Sequence, residues 1–288
     1  MANKVDIICP FYNGEEYIVN INNYILKQKD IEINKILYIL TESEDNSKEI
    51  LINNHIPFVE ISKNDFSHSL TREKALFDST ADYVIMITQD VRIEDEYCFS
   101  KLLNYTIENN VAVSYARQIG YIHGIDRYFR KISYGKNSYV YSKEDLQKKG
   151  QNACFLSDVC ACYNVETFKR INGYDGKNLN TNEDMYYAYK CLKNDLKVGY
   201  CADAVVYHTH KLTFKNTYER YKEIGHFFYH NPEIDALPNN RMKYFKCMGI
   251  MFIHFAWKSF ILFPIHALIR HFGIVNGKKE EEKNDNKK

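Results

Sequence analysis

The feature that most constrains the fold is an apolar run from Tyr83 to Ile87 that ends abruptly in Thr88, Gln89 and Asp90. A short continuous run of this kind is typical of a strand that is buried on both faces of a sheet. In open α/β sheets, ligands bind just beyond the carboxyl ends of the strands. The run therefore predicts a buried strand that delivers the Asp90 carboxylate to a cleft.

Apolar runs and helical patterns alternate through the first 120 residues. Pro10 closes the first apolar run, and the turn dipeptide Asn13-Gly14 precedes the first helical pattern. Strands that alternate with helices indicate an α/β fold in which a mostly parallel sheet is covered on both faces. The predicted strands are 5–9, 36–40, 58–61, 83–87 and 111–117, and the predicted helices are 15–28, 46–54, 71–79 and 94–109.

The second half of the chain is less regular. Residues 120–151 are rich in Tyr, Lys and Gly and have no clear period, which indicates either a long lid or binding loop, or elements that the pattern does not show. Beyond them, the pattern predicts helices at 165–171, 183–193 and 214–229 and strands at 198–200 and 204–207. A sheet domain is therefore predicted to span residues 1–235.

Composition and charge exclude several classes of protein. With 288 residues, 45% of them hydrophobic, the chain has enough apolar material for a sizeable core. The formal net charge is only +1, so nothing favours nucleic acid as a partner. No secretory signal pattern opens the sequence, and the eight cysteines include only a C-x-C pair, at Cys160 and Cys162. We therefore expect a cytoplasmic protein with reduced, buried thiols.

The C-terminal region is apolar but interrupted. Residues 248–272 are dense in Phe, Ile, Leu and Met, yet Lys258 splits them into pieces shorter than the about 18 to 20 residues that a bilayer requires. Three interpretations stay open: helices packed on the domain, amphipathic helices at a membrane interface, or a true span. We predict a helical segment at 236–275 and a disordered charged tail at 276–288.

Two acids are candidates for chemistry. Asp90, at a strand end, can hold Mg²⁺ or Mn²⁺ against a diphosphate, although acids after strands are common without such a role. Asp184 opens a predicted helix beside Glu183, after the polar loop 176–180, and can act as a base. The alternative is that both acids only satisfy free N–H groups at the helix start.

Two pairs of basic side chains are further candidates. His208 and His210 follow a predicted strand at alternate positions, so their rings share a face and one of them can complete a metal shell. His68 and Arg72 are one helical turn apart at a helix start, where they can both meet a phosphate. Surface contacts and local capping are the alternatives for these two pairs.

Taken in this order, the segments resemble family 2 of the inverting glycosyltransferases, which share the GT-A fold, over about residues 5–231. Within the family they look like the branch of bacterial rhamnosyltransferases. The segment ICPFYNG at 8–14 and the Glu-Asp pair at 183–184 are widespread in family 2. The segments DFSHSLTR at 65–72, TQD at 88–90 and RYKEIG at 220–225 point to the branch more narrowly. The segments are ICPFYNG at 8–14, DFSHSLTR at 65–72, TQD at 88–90, ARQ at 116–118, ED at 183–184, AVVYH at 204–208 and RYKEIG at 220–225.

The resemblance implies a GT-A-like nucleotide-binding sheet with a donor site, a metal site and a base. Asp90 stands at the last position of the family's D-x-D metal motif, and Asp184 stands at the position of the base, beside Glu183. The branch tolerates Thr88 and Gln89 in place of the other acids. The residues implied to bind the nucleotide sugar are Pro10, Tyr12, Asn13, Glu42, Asp45, His68, Arg72, Gln89 and Asp90. The metal ligands implied are Asp90 and His208, with Mg²⁺ or Mn²⁺ as the ion.

The sequence departs from the family pattern beside the expected donor. The turn at 41–47, normally of the type DSGSTDG, is TESEDNS and lacks the leading Asp. Ser69 and Leu70 replace a Gly-Gly pair, and Glu73 replaces an Asn. These departures also fit a non-catalytic domain that binds a nucleotide sugar or a membrane partner. A nucleotidyltransferase is disfavoured, because only one Gly follows the first strand where a Gly-rich phosphate loop would be needed.

The function expected from the resemblance is inverting transfer of L-rhamnose from a dTDP carrier, or of another dTDP or UDP sugar. The acceptor is expected to be a hydroxyl group of a glycan or lipid-linked molecule in cell-surface polysaccharide assembly. This implies an enzyme at the cytoplasmic face of the cell membrane, with peripheral membrane contact through the C-terminal helices.

Overall fold

The computed structural model describes residues 3–210, 213–239 and 242–287. Within these ranges the chain forms a mixed sheet with helices on both faces. The strands are β1 (Val5–Phe11), β2 (Ile33–Thr41), β3 (Phe58–Ile61), β4 (Tyr83–Ile87), β5 (Val113–Ile119), β6 (Tyr139–Tyr141), β7 (Cys160–Asn164) and β8 (Val198–Tyr207). The helices are α1 (Ile18–Leu26), α2 (Ser47–Asn53), α3 (His68–Asp78), α4 (Cys98–Glu108), α5 (Ile125–Ser133), α6 (Lys143–Lys149), α7 (Val165–Arg170), α8 (Glu183–Lys193), α9 (Phe214–His230), α10 (Pro232–Asp235), α11 (Met242–Ile253) and α12 (Trp257–Asp285).

The sheet confirms the predicted fold class. Its eight strands lie in the order β3-β2-β1-β4-β7-β5-β8-β6. The first four strands of this order are mutually parallel, β7 runs antiparallel to both of its neighbours, β5 and β8 are parallel, and β6 is an antiparallel edge strand. A sheet of this kind gathers the carboxyl ends of its parallel strands at one edge, where ligands bind.

The central strands are buried on both faces, as the apolar run of β4 predicts. Along β4, Val84 and Met86 pack into the core on one face of the sheet, whereas Ile85 and Ile87 pack into the core on the other. Alternation follows from the two-residue repeat of a strand. Each face is closed by helices, so β4 ends in a fixed position at the edge of the sheet.

The region that the pattern left without elements is structured. Residues 120–151 contain α5, β6 and α6 rather than a long loop. The rings of Tyr139 and Tyr141 in β6 stack with centroids 4.4 Å apart, and Tyr139 packs on Tyr200 of β8. These short elements owe their stability to contacts with distant parts of the chain, which a local period does not show.

The prediction of a disordered tail at 276–288 is wrong for the described part of it, because α12 continues to Asp285. This part of α12 packs along α9: Lys222 pairs with Glu280 at 3.1 Å, and Tyr229 donates to Asp285 at 3.0 Å. His226 also pairs with Glu281. A mixed-charge sequence is ordered here because the facing helix supplies partners for its charges.

By length and composition, α12 is a helix that could cross a bilayer, although Lys258 led us to expect shorter pieces. Only 28% of the apolar 18-residue stretch of this helix is buried inside the protein. Of its buried residues, Gly273 and Gly277 pack against α9, whereas Phe263 packs with Cys247 and Met251 of α11. Its exposed side is also apolar. The exposed apolar residues of this helix include Trp257, Ile261, Ile265, Leu268 and Phe272.

Glycines let α9 and α12 approach closely. A Cβ atom added to Gly277 would lie 2.1 Å from the carbonyl oxygen of Lys222, and one added to Gly225 would lie 2.4 Å from that of Ile274. Such distances are far inside van der Waals contact, so larger residues cannot be accommodated without moving the helices apart. The C-terminal helix is therefore docked on the sheet domain through a backbone-to-backbone contact.

We predict that Gly277→Ala lowers the free energy of unfolding by about 1–3 kcal/mol, because the new methyl group separates the two helices. The measurement is urea denaturation followed by circular dichroism. The control is Gly249→Ala on α11, where an added Cβ meets nothing within 4 Å. That variant should be as stable as the parent or more so, by up to about 1 kcal/mol, because Ala favours helix. Equal stability of both variants would contradict close packing of α12.

Candidate active site

The polar segment after β4 is fixed to the end of β8. Arg92 and Tyr207 exchange two backbone hydrogen bonds, 2.9 and 2.8 Å long. The bridge spans two intervening strands, because β7 and β5 lie between β4 and β8 in the sheet. The bridge brings Asp90, two residues before Arg92, close to His208, the residue after Tyr207. The two lie 118 positions apart in the sequence.

Asp90, His208 and His210 form a cluster that can hold a metal ion. The Oδ2 atom of Asp90 lies 3.0 Å from Nε2 of His208. One ligand atom from each of the three residues lies within 4.8 Å of the others. The two histidine rings meet edge to face with centroids 4.5 Å apart, as expected for alternate positions after a strand. The cluster thus contains the two predicted ligands and adds His210.

The His208 ring is oriented by a side-chain network. Gln118 Oε1 lies 3.4 Å from His208 Nδ1, and Arg130 also donates to this oxygen. Gln118 Nε2 donates to Ser157 Oγ at 2.7 Å. Because Arg130 can only donate, the amide atom that it contacts is the oxygen. A carbonyl oxygen only accepts, so Nδ1 of His208 carries a hydrogen. Nε2 donates to Asp90, and a metal ion bound to this nitrogen would take the place of that proton. Such a partner on the second ring nitrogen is usual for metal-binding histidines.

The protonation of the cluster suits a cation. Burial opposes ionisation of Asp90, but its hydrogen bond and charge interaction with His208 hold its pKa at about 2. Burial and the nearby charges of His208, Arg220 and Arg130 lower the pKa of His210 to about 3. At neutral pH the Asp90 carboxylate is therefore charged and the His210 ring is neutral, which are the forms that bind metal ions.

A cavity of about 260 Å³ adjoins this cluster. Asp184, His208 and His210 all line it, while Asp90 reaches it through His208. The candidate base and the candidate metal site therefore share one cavity. Its other lining residues include Gln118, Asp126, Phe129, Arg130, Tyr134, Phe155, Ser157, Arg220, Tyr221 and Arg270.

Asp184 lies at the start of α8 with a strongly perturbed carboxyl group. Burial, together with the neighbouring carboxylates of Glu183 and Asp158, raises the pKa of Asp184 well above its usual range, although the Met185 N–H donates to it at 2.7 Å. Asn182, just before the helix, has a left-handed backbone with φ of 59°. A strained backbone and a raised carboxyl pKa are features that cluster at active sites.

Arg72 anchors the acids around Asp184. Its Nε lies 3.4 Å from Asp158, and its Nη1 lies 3.4 Å from Glu183 and donates to the backbone oxygen of His68 at 2.8 Å. All three charged side chains of this cluster are almost fully buried. Burial raises the pKa of Asp158 to about 6 even though Arg72 lowers it. One guanidinium group therefore faces several carboxylates, so negative charge is in excess in this cluster. The charges of Glu183 and Asp158 contribute, after burial, to the raised pKa of Asp184.

The loop after β1 contacts the turn that carries Asp90. The Tyr12 N–H donates to Gln89 Oε1 at 2.8 Å, and Gln89 Nε2 donates to the Tyr12 carbonyl oxygen at 3.0 Å. Pro10 lies within β1, where it pairs with Ile39 of β2. Gln89 thus joins two loops at the carboxyl edge of the sheet.

The loops after β1 and β2 form a shallow pocket of about 470 Å³, which Asn13 and Asp45 line together with three glutamates. The Asn13 N–H donates to Ser43 Oγ at 3.0 Å, and Asp45 accepts from the Glu15 N–H at 3.0 Å. The altered turn at 41–47 is therefore still tied to the first loop. Glu42 is exposed and lies outside the lining of this pocket.

The structure brings most of the candidate residues to one edge of the sheet, and their roles stay predictions. Sequence reasoning missed Asp158, the buried partner of Arg72, and Asp126, which pairs with Arg130 at 2.6 Å. No local pattern marks either acid. Sequence reasoning also missed Arg270. The sequence does contain a signal for this residue, because no Asp or Glu occurs between Asp235 and Glu280 to pair with a buried cation.

Solved structures of other proteins share this fold. The S. aureus TarS 1-349 structure in complex with UDP-GlcNAc matches with a TM-score of 0.59 and 17% identity, over 99% of this chain and 92% of that one. The match to the longer TarS chain covers 43% of it. Mannosyltransferase PcManGT from Pyrobaculum calidifontis, in complex with GDP-Man and Mn²⁺, matches with a TM-score of 0.61 and 10% identity, over 96% of this chain and 86% of that one.

Sequence comparison identifies the family. The chain is 30% identical over 235 residues to the O-antigen chain rhamnosyltransferase RfbN of Salmonella typhimurium, which covers 80% of this chain and 74% of that protein. The model of the family described as glycosyl transferase family 2 matches residues 6–171. The resemblance drawn from the motifs is thereby confirmed, and the chain belongs to glycosyl transferase family 2.

Proposed function

We propose that this glycosyltransferase moves L-rhamnose from a dTDP carrier to a hydroxyl group of a glycan or lipid-linked acceptor, with inversion at the anomeric carbon. The sugar is proposed from the likeness to an O-antigen chain rhamnosyltransferase. The observation that carries the proposal is that Asp184, a carboxyl group with a raised pKa, shares a cavity with His208 and His210. A base beside a site for a metal and a diphosphate is the arrangement that this reaction needs.

The nucleotide of the donor is proposed to lie at the edge formed by the loops after β1 and β2. Asn13 and Asp45 line a pocket there, and side-chain amide and carboxylate oxygens can accept hydrogen bonds from a nucleoside. Tyr12 and Gln89 join this edge to Asp90. A solved relative of the fold binds UDP-GlcNAc, so a UDP sugar is the second donor class to test.

Asp184 is the proposed base. It takes the proton of the acceptor hydroxyl as that oxygen bonds to the anomeric carbon, while the bond from this carbon to the diphosphate oxygen breaks on the opposite face. The bonding electron pair leaves with the diphosphate. A raised pKa makes the carboxylate a better proton acceptor near neutral pH. Glu183 supports this role through its charge and its contact with Arg72.

The residues present fit a divalent metal ion. One carboxylate and two imidazole nitrogens within 4.8 Å of one another can share a single ion. Imidazole ligands suit first-row transition metals, whereas Mg²⁺ prefers oxygen, so of the two expected ions Mn²⁺ fits this donor set better. When bound, such an ion would act as a Lewis acid that neutralises charge on the diphosphate.

Positive side chains also favour the departure of the diphosphate. Arg130 and Arg220 line the same cavity as Asp184. The anomeric centre gains oxocarbenium character as the bond breaks, so stabilising the leaving charge lowers the barrier. Fixed cations in a partly closed cavity interact with this charge more strongly than they would in bulk water.

Peripheral contact with the cytoplasmic face of a membrane is proposed for α11 and α12. Both helices and the turn between them expose large apolar side chains, among them Phe245, Phe252, Phe255 and Trp257. Residues 236–279 contain basic side chains and no acidic one, which favours anionic lipid headgroups. Such contact would bring the cavity close to a lipid-linked acceptor.

We predict that Asp184→Asn lowers kcat by about 10²–10⁴-fold while donor affinity stays within about threefold, because an amide cannot accept the proton. Turnover is measured as release of nucleoside diphosphate with donor and acceptor present, and donor binding is measured by calorimetry. The control is Asp203→Asn, at an exposed position of β8, which should keep full activity. Retained turnover in the Asp184 variant would remove this residue from the role of base.

We predict that the activity falls as the pH drops through the pKa of Asp184, which lies well above the usual value of 3.8. Only the deprotonated form accepts a proton, so this pKa defines the acidic limb of kcat/KM against pH. Glu183→Gln removes a neighbouring negative charge and should move this limb to lower pH. The control is Glu166→Gln on α7. An unmoved limb would contradict the assignment.

We predict that dTDP-L-rhamnose raises the melting temperature more than UDP-GlcNAc or GDP-mannose, and more with Mn²⁺ than with EDTA. A ligand at 100 times its Kd stabilises the native state by about 2.7 kcal/mol. Asp90→Asn and His210→Ala should abolish the Mn²⁺-dependent part of the shift, whereas His254→Ala, an exposed control on another loop, should keep it. A larger shift with another donor would reassign the sugar, and a shift independent of Mn²⁺ would remove the metal site.

A further inference from the structure

Arg270 on α12 is a buried cation in the wall of the cavity that Asp184 and His210 line. Its exposed fraction is 5%. Its Nε and Nη1 atoms have no hydrogen-bond partner among the residues that the structure describes. Within the same ranges, no carboxylate forms an ion pair with it. A guanidinium group whose N–H groups lack acceptors is unfavourable in a protein interior, and a bound anion would relieve this.

Two aromatic rings hold the guanidinium group. Its Cζ atom lies 5.0 Å from the ring centroid of Phe129 and 5.1 Å from that of Tyr221. Contacts with ring faces stabilise the charge but accept no conventional hydrogen bond. The Nε–H and Nη1–H groups are therefore held in place without an acceptor. The planar guanidinium group can present N–H donors to the oxygens of a phosphate or carboxylate.

The acids around the cavity are engaged elsewhere. Asp126 accepts from Arg130 Nε at 2.6 Å and from the His210 N–H at 3.2 Å. Asp184 accepts from the Met185 N–H. The sequence around Arg270 supplies no alternative, since the nearest acids along the chain are Asp235 and Glu280. Among the residues that the structure describes, neither Asp126 nor Asp184 forms an ion pair with Arg270.

Other cations line the same cavity. Arg220 and Arg130 are there, and Arg270 also contributes to the lowered pKa of the nearby His266, after burial. His266 donates to or accepts from Thr217 at 3.1 Å and so is not an acceptor reserved for Arg270. Positive charge is therefore contributed to the cavity wall by α5, α9 and α12.

We propose that Arg270 binds a phosphate-type oxyanion of a substrate in this cavity, an inference that rests on the proposed transferase function. Two substrate groups have this chemistry: the diphosphate of the nucleotide sugar, and a phosphate or diphosphate that links the acceptor glycan to its lipid. In either case the C-terminal helix supplies a binding residue to the active site rather than only packing on the sheet domain.

The test measures binding of UDP, dTDP and farnesyl diphosphate to the full-length protein by calorimetry in EDTA, which excludes metal-mediated binding. Arg270→Gln should weaken at least one probe by tenfold or more. Arg270→Lys keeps the charge but loses the fork, so its affinity should lie between those of Arg270→Gln and the parent. The control is Arg170→Gln on the exposed end of α7, which should bind as the parent does.

The probes distinguish the source of the anion. Loss confined to UDP and dTDP assigns Arg270 to the donor diphosphate, and loss confined to farnesyl diphosphate assigns it to the acceptor. Because each readout is binding, the result does not depend on rhamnosyl transfer. If binding depends on Arg270 but no sugar is transferred, the proposed reaction fails and the anion site stands.

A stability measurement separates binding from a structural role. Removing an unpaired buried charge should leave the melting temperature of the ligand-free Arg270→Gln protein unchanged or higher. A lower melting temperature with unchanged affinities would show that Arg270 acts only in packing against Phe129 and Tyr221. Affinities within twofold of the parent for every probe, or a parent protein that binds none of them, would also overturn the proposal.

Discussion

The site depends on a short backbone bridge between the segment after β4 and the end of β8. The two hydrogen bonds that join Arg92 to Tyr207 span a part of the sheet in which β7 and β5 intervene. Because this bridge fixes both strand ends, Asp90 meets His208 without any long flexible loop. A cation held there would contact rigid ligands, which is the condition for precise placement of a diphosphate.

The cavity combines two opposite charge environments. Around Asp184, Arg72 is shared among several buried acids, so protons are held tightly and the pKa of Asp184 is raised. Around His210, burial and the charges of His208, Arg220 and Arg130 lower the pKa of the imidazole and keep it neutral. One region is therefore suited to accept a proton, and the other combines a possible metal site with arginines that can hold an anion. This division of roles in a single cavity is what transfer from a diphosphate donor demands.

The C-terminal helices belong to the site in a way that their sequence does not suggest. The predicted division at residue 235 stays a prediction, but α12 reaches the cavity wall through Arg270 and packs on α9 through glycine contacts. The face of α12 that points away from the domain is apolar. If that face meets a membrane, as proposed, then contact with lipid and the position of a substrate-binding arginine are set by the same helix.

The sequence by itself determined the alternating α/β plan, the buried β4 that ends at Asp90, the helix start at Asp184 and the family motifs. These features are encoded locally, because strand burial and helix starts follow from short runs of neighbouring residues. The tertiary structure alone decided that Asp158 pairs with Arg72, that His210 joins Asp90 and His208, that residues 120–151 fold, and that Arg270 lines the cavity. Each of these depends on a partner far away along the chain, and burial and charge pairing are set only when distant segments pack together.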